Sequence, residues 1–379
     1  MVSDNAGLDA LCASWRHCEF LAMDTEFIRT STFFPQAGLF QVNTGDERNY
    51  LVDPLVMTDW TAFRELMLDS RIVKVMHSCS EDLQVFMASM QLVPAPVFDT
   101  QIAGAFLKDG FGCSYQTLVR DYLGIELPKG ETRSDWLQRP LADKQLHYAA
   151  LDVACLPAIY QAQRKVLTET GRLGWLEEEC DKLLDIYRKE MQADFSDFYL
   201  NMRGAWQLDR RQLQALKLLA QWREQRARKR NKPRNWIVQD KQLIDIARLM
   251  PASPEALSQV PDLDRNFMRH ESLEVLATVH AAESVPEAAL PALLPRPLDG
   301  GTKQRLKRGQ QFVDRKAGEL GLPVEMLSRK RWLVELLQNL LVLEKGGQSV
   351  DDADKVMPKE MLGWRRTFLD PGLLQAMRK

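Results

Sequence analysis

An apolar run that turns acidic limits this chain more than any other stretch. In Phe20-Leu-Ala-Met-Asp-Thr-Glu-Phe27, four apolar residues lead into Asp24 and Glu26, two carboxylates one residue apart. Side chains two apart on a strand share a face, so a strand here sets both acids side by side at its end. Two unit charges about 4 Å apart repel by roughly 4 kcal/mol at an effective dielectric near 20, a large part of the roughly 5–15 kcal/mol that holds a domain folded. A compensating cation is expected, and oxygen donors alone favour a hard divalent ion such as Mg²⁺ or Mn²⁺. Taken by itself, Asp-x-Glu also fits a solvated strand end or a helix cap; the apolar flank argues for burial.

At 379 residues the chain has room for two or three domains, each with its own core. No apolar stretch reaches the roughly 18 residues needed to span a bilayer, and Met-Val-Ser-Asp-Asn is not a basic-then-apolar leader, so a cytoplasmic protein is expected. Its six cysteines form no Cys-x-x-Cys pair and read as reduced structural thiols. The net charge of −2 conceals an asymmetry. Residues 1–195 carry 18 Lys and Arg against 29 Asp and Glu, and the remainder carries 32 against 23. An acidic half joined to a basic half fits a metal-binding part and a polyanion-binding part, although chance surface composition would give the same count.

Beyond the acidic strand, Gly38–Asn43 and Asn49–Asp53 read as strands around the turn Thr44-Gly45-Asp46. Asp59–Leu68 has helical periodicity, Ile72–Met76 is a strand ending at His77, and a helix begins at Ser80 with Asp82 in its first turn. The helix dipole favours a carboxylate there whatever its function. A short strand Pro96–Asp99 precedes helices over Thr100–Lys108 and Ser114–Gly124. A polar loop, Leu127–Trp136, then leads to one long helix from Leu141 to about Thr170. In that helix Tyr148 and Asp152 are four apart and share a face, which also fits a satisfied core hydrogen bond. The pattern predicts an α/β domain to about residue 170, its mixed sheet flanked by helices, with a helix over Trp175–Met191 leading away.

Asp24-Thr-Glu26, His77-x-x-x-Glu81-Asp82 and Tyr148-x-x-x-Asp152, in this order, resemble the three motifs of DEDDy-class exonucleases. The surrounding wording, Pro35-Gln, Gln41, Ser134-Asp-Trp, Arg139-Pro-Leu and Tyr148-Ala-Ala-Leu-Asp-Val153, is similar to the ribonuclease D family. The later chain agrees. Asp209-Arg-Arg-Gln-Leu through Lys229-Arg230, then Lys232-Pro-Arg-Asn-Trp236, resembles a helicase-and-RNase-D C-terminal (HRDC) domain, with further helices expected over Asp240–Leu249, Ser253–Gln259 and Asp264–Glu283. Pro286–Asp299 reads as a linker. The last stretch, with Arg329-Lys-Arg-Trp332 and Gly363-Trp-Arg-Arg366, resembles a second, more divergent HRDC-like bundle.

The resemblance implies an α/β ribonuclease H-like (DnaQ-like) exonuclease domain with its connecting helix over 1–195, an HRDC domain over 205–285 and a second all-α HRDC-type bundle over 298–379. It implies a 3′→5′ exoribonuclease that releases 5′-mononucleotides while trimming structured RNA such as tRNA precursors, with two Mg²⁺ or Mn²⁺ ions per site. Asp24 would bridge both ions, Glu26 and Asp152 would complete one site, Asp82 would hold the other, and Tyr148 would orient the attacking water. Tyr-x-x-x-Asp spacing makes His147 a bystander. Phe27, Phe33 or Phe34 could stack on the terminal base, or serve as core. RNA phosphates would lie along Arg226, Arg228, Lys229, Arg230, Lys232 and Arg234 beside Trp236, each of which also fits a solvated helix end. A monomer with no membrane association is expected. Two other functions share these residues: a DNA-directed 3′→5′ exonuclease, and an RNA-binding protein with an idle acidic site. No Gly-x-x-x-x-Gly-Lys-Ser/Thr segment supports a P-loop motor.

Overall fold

The computed structural model describes residues 1–107, 109–128, 134–193, 195–346 and 356–378. Lys108 and part of the expected Leu127–Trp136 loop lie outside them. The chain divides into two compact units, one of Met1–Ile28, Gln36–Arg188 and Leu298–Lys379, the other of Arg29–Pro35 and Lys189–Pro297.

Five strands form the sheet of the first unit: β1 (Phe20–Ile28), β2 (Gln36–Asn43), β3 (Tyr50–Val52), β4 (Val73–Met76) and β5 (Val97–Asp99), ordered β3-β2-β1-β4-β5. β1 to β3 are an antiparallel meander, while β4 runs parallel to both β1 and β5, making the sheet mixed as expected. The meander turns where the Asn43 side chain accepts the N–H of Gly45, whose φ of 89° suits glycine. Alternation along β1 sorts its residues between two layers. Leu21 and Met23 join Phe40, Val42, Phe63 and Phe86 in one, with helices α1 (Asn5–Trp15), α2 (Thr61–Leu68) and α3 (Ser80–Met90). Ala22 faces the other, with Val75, Phe98, Val153 and Ile159. Asp24 and Glu26 share the Ala22 face.

That second layer is built by α4 (Thr100–Phe106), α5 (Tyr115–Leu123), α6 (Asp143–Ala154) and α7 (Leu156–Glu169), followed by α8 (Leu173–Met191). The single long helix expected from Leu141 is therefore two. Pro157 lacks an N–H and its ring opposes the carbonyl four residues back, so the helix breaks at Cys155 and restarts with proline in its first turn. All six cysteines are free thiols. Among the described residues no helix is long and apolar enough to cross a membrane.

The second unit holds α9 (Arg210–Arg230), α10 (Arg234–Ile237), α11 (Asp240–Leu249), α12 (Pro254–Leu257), α13 (Arg265–His270) and α14 (Ser272–Glu283). The expected helix over Asp264–Glu283 divides at Glu271, whose buried carboxylate takes ion pairs from Arg226 and Arg230. The proline-rich linker is strapped down: Arg210 donates to the carbonyls of Glu287, Leu290 and Pro291.

The architecture of α9 to α11 then returns. Asp209 caps α9, Asn231 ends it in the left-handed region, and Pro233 precedes the four-residue α10. Asp299 likewise caps α15 (Gly300–Leu320), Gly321 ends it, and Pro323 precedes the four-residue α16 (Val324–Leu327) and then α17 (Lys330–Lys345). Matching caps and breaks at matching intervals make these two versions of one helical frame.

The sequence reading set residues 298–379 apart as a domain, yet they pack into the same unit as the sheet. Trp364 stacks on Trp175 with ring centroids 5.0 Å apart and planes inclined by 14°. Arg365 forks onto Glu179, and Arg172 donates to the Leu320 carbonyl at 2.6 Å. One apolar cluster includes both Phe106 and Leu176 of the catalytic part and Leu336 and Leu373 of the last bundle.

Candidate active site

β1 and α6 deliver the acids. β1 pairs with β2 in regular register until a shift between Glu26 and Phe27, which ends the regular ladder just past the acids. Ala149 and Val153 are fully buried against the sheet and draw α6 close, which turns Asp152 toward β1. Carboxylate oxygens of Asp24, Glu26 and Asp152 consequently lie within 4.8 Å of one another. Asp82 comes from the first turn of α3 and stands beside this group, its Oδ1 accepting the Thr25 hydroxyl at 2.5 Å. Thr25 is thus a bridge from β1 to α3.

Burial forces these carboxyls toward the protonated form. It pushes Asp24 up to about 8, assisted by repulsion from Asp152, and Glu26 up to about 9, assisted by Asp24. Asp152 rises to about 7 by burial, although the Tyr148 hydroxyl opposes the shift. Asp82 is raised well above the usual carboxylate range by burial and by Asp24. The Tyr148 phenol is likewise raised, by burial and then by Asp152 and Glu26, and keeps its proton at neutral pH. A cation sharing the pocket would let the four acids ionise together at neutral pH. An all-oxygen donor set of carboxylates fits hard divalent ions.

Supporting residues include several to which the sequence assigned no role of their own. Trp136, from the loop taken as polar, is buried and lies 6.2 Å from the Tyr148 ring. Gly38 makes room for it, since a Cβ there would come 2.6 Å from that of Trp136. Arg139 braces the same loop, donating to both Asp53 oxygens at 2.6 Å, to Gly38 O at 2.7 Å and to Trp136 O at 2.8 Å. Asp99 accepts the N–H groups of Ser78 and Cys79 ahead of α3 and of Gln101 and Ile102 in α4, so one carboxylate orders two helix starts. An acid closing a strand and opening a helix, as in Phe98-Asp99-Thr100, is the available sequence signal. His77 donates to or accepts from Thr100 at 2.9 Å.

The basic candidates separate into two kinds. Arg228 pairs with Glu190 and Glu224, Arg234 with Glu224, and Arg226 with Glu271 and Glu274. Arg228 and Arg234 also cover the buried Phe33 ring, each with its guanidinium 4.8 Å from the centroid, so Phe33 packs as core. Neighbouring acids, invisible as partners in a linear reading, thus occupy arginines that read as phosphate contacts. Arg230 is more open but shares Glu271. Lys229, Lys232 and Trp236 remain exposed, with the Lys232 ammonium 5.6 Å from the Trp236 centroid.

Comparison with known proteins agrees with this geometry. Residues 1–168 match the 3′-5′ exonuclease family and residues 212–279 the HRDC domain. The sheet, its acidic cluster and the HRDC region define a 3′→5′ exonuclease of the DEDD type, a class that uses divalent metal ions. Ribonuclease D of Pseudomonas paraeruginosa is 38% identical over 99% of this chain and 96% of its own length, and that of Escherichia coli 36% identical over 98% and 96%. The crystal structure of Escherichia coli RNase D, described as an exoribonuclease involved in structured RNA processing, superposes with a TM-score of 0.85 at 32% identity, covering 100% of this chain and 98% of that one. The chain belongs to the ribonuclease D family and is a 3′→5′ exoribonuclease.

Proposed function

We propose that the chain trims the 3′ ends of structured RNA, tRNA precursors among them, as a cytoplasmic monomer that holds two Mg²⁺ or Mn²⁺ ions at its carboxylate cluster. The observation that carries this reading is the convergence of Asp24, Glu26 and Asp152 within 4.8 Å, with Asp82 tied to the same strand through Thr25. When bound, the ions supply positive charge to the scissile phosphate and the departing 3′ oxygen and acidify the attacking water. Asp24 would serve both ion positions, Glu26 and Asp152 one, and Asp82 the other. Tyr148 keeps its proton and orients the water through its hydroxyl, with Trp136 fixing the ring. Lys229, Lys232 and Trp236, with Arg230, would hold the RNA body, while Arg226, Arg228 and Arg234 shape that surface from within. Such phosphate contacts are salt-sensitive and largely blind to sequence.

The test is to incubate a 3′-extended tRNA and a matched DNA oligonucleotide with the protein and Mg²⁺ or Mn²⁺. Release of 5′-mononucleotides from RNA alone, abolished by chelator, is expected; preferential cleavage of the DNA, or tight binding without product, would overturn the reading. Tyr148→Phe is expected to lower kcat by about 10²-fold with KM little changed, measured on the same RNA. Trp236→Ala is expected to weaken tRNA binding about tenfold in a filter-binding titration while sparing cleavage of short oligonucleotides, since a base–aromatic stack contributes about 1–3 kcal/mol.

A further inference from the structure

Gln41 is fully buried, and both its Nε2 and its Oε1 lack a hydrogen-bond partner among the described residues. It lies on β2 opposite Asp24 in the antiparallel register, and opposite Leu51 on its other side. Cross-strand partners share a face with Cβ atoms about 4.5–5.5 Å apart, so the carboxamide sits on the catalytic face, one strand over from Asp24. On the same face, Leu39 and Leu51 belong to the apolar cluster with Trp136 and Ala149 that packs under α6. An unpaired buried amide costs about 1–3 kcal/mol. A leucine or methionine would fill the same space without that cost.

We propose that Gln41 is a positioning residue for Asp24: its otherwise unpartnered Nε2 would donate to one oxygen of the Asp24 carboxylate and so fix the other oxygen in the orientation that holds a divalent ion. Asp24 is the acid that lies opposite Gln41 in the strand register. Hydrogen bonds of this kind behind metal ligands commonly change metal affinity by 10–100-fold. The proposal rests on the metal-dependent reading of the site.

The experiment compares the full-length parent with Gln41→Leu and Gln41→Met. Mn²⁺ affinity is measured by calorimetry without RNA, and thermal melting is followed in chelator. The expected result is an Mn²⁺ Kd raised at least tenfold in both variants, with a melting temperature in chelator equal to or above the parent's. An unchanged Kd would overturn the proposal whatever the melting temperature does. So would a Kd that changes only in a variant whose melting temperature has fallen. If the parent itself bound no Mn²⁺, the proposed function would fail first, so the two failures are distinguishable.

Discussion

Asp24→Asn is expected to lower kcat on RNA roughly 10³-fold and, in the absence of divalent ions, to raise the melting temperature above pH 7. The first effect follows from removing a carboxylate central to the proposed ion-binding cluster, whose charge stabilisation would be worth several kcal/mol, each 1.36 kcal/mol being a factor of about ten in rate. The second follows from the sign of the shifts. Asp24, Glu26 and Asp152 are raised in the folded protein to about 8, 9 and 7, whereas an unfolded chain ionises them near pH 4. Between those limits the folded state holds protons that the unfolded state has released. The contribution of these three groups to the stability of the ion-free protein is therefore greatest below about pH 4 and is lost as pH climbs through 7 to 9. Asparagine carries no charge at one of the three positions and relieves the repulsion on the other two. Melting curves from pH 5 to 9, in chelator and in Mn²⁺, check this. The parent should fall steeply with pH in chelator, recover with Mn²⁺, and fall less steeply as the variant. A variant as pH-sensitive as the parent, or one that cleaves at the parental rate, would refute the cluster's assigned role.

Arg365→Ala is expected to destabilise the catalytic part by about 3–5 kcal/mol, although Arg365 lies far along the chain from every acid of the site. Its guanidinium is buried, forks onto Glu179 of α8, donates to the Met326 carbonyl at 2.6 Å and lies 4.7 Å from the Trp364 centroid. Truncation leaves the largely enclosed Glu179 carboxylate without its forked partner, with only the Lys182 ammonium 3.3 Å away to offset its charge. Urea denaturation should show this loss as a lowered midpoint with an unchanged slope. Replacing both partners, as Glu179→Gln with Arg365→Met, should recover much of it, because the penalty lies in leaving an enclosed carboxylate without its forked partner. Equal stability of parent and Arg365→Ala would show that the last bundle is dispensable to the sheet. The same packing predicts that a chain ended near residue 195 will not fold as a catalytic fragment, since Trp175 and Leu176 would lose their covering.

Local pattern carried a large part of this in advance. Apolar residues leading into Asp24 and Glu26 marked the central strand because burial and alternation act within a few residues, and the turn at Gly45 was legible for the same reason. Pro157 was equally visible, yet the apolar period ran on across it and hid the break between α6 and α7. Partners distant in sequence were harder to foresee. Glu224 and Glu271 neutralise arginines that look solvent-facing in a linear reading, and only the fold discloses that Trp136 of a polar loop is buried beside Tyr148. Gln41 appeared only as a letter in a motif; its register against Asp24 gives it a physical meaning.

The twice-used helical frame has a consequence of its own. At the third position of the short helix, one version holds Trp236 with 62% of its surface open, and the other holds Met326 with 4%. Divergence of one scaffold has left the earlier version an aromatic ring turned to solvent, whereas the later one has spent the equivalent position on internal cohesion. A change that raises the adhesiveness of the first is therefore tolerable, but the same change in the second would loosen the enzyme itself.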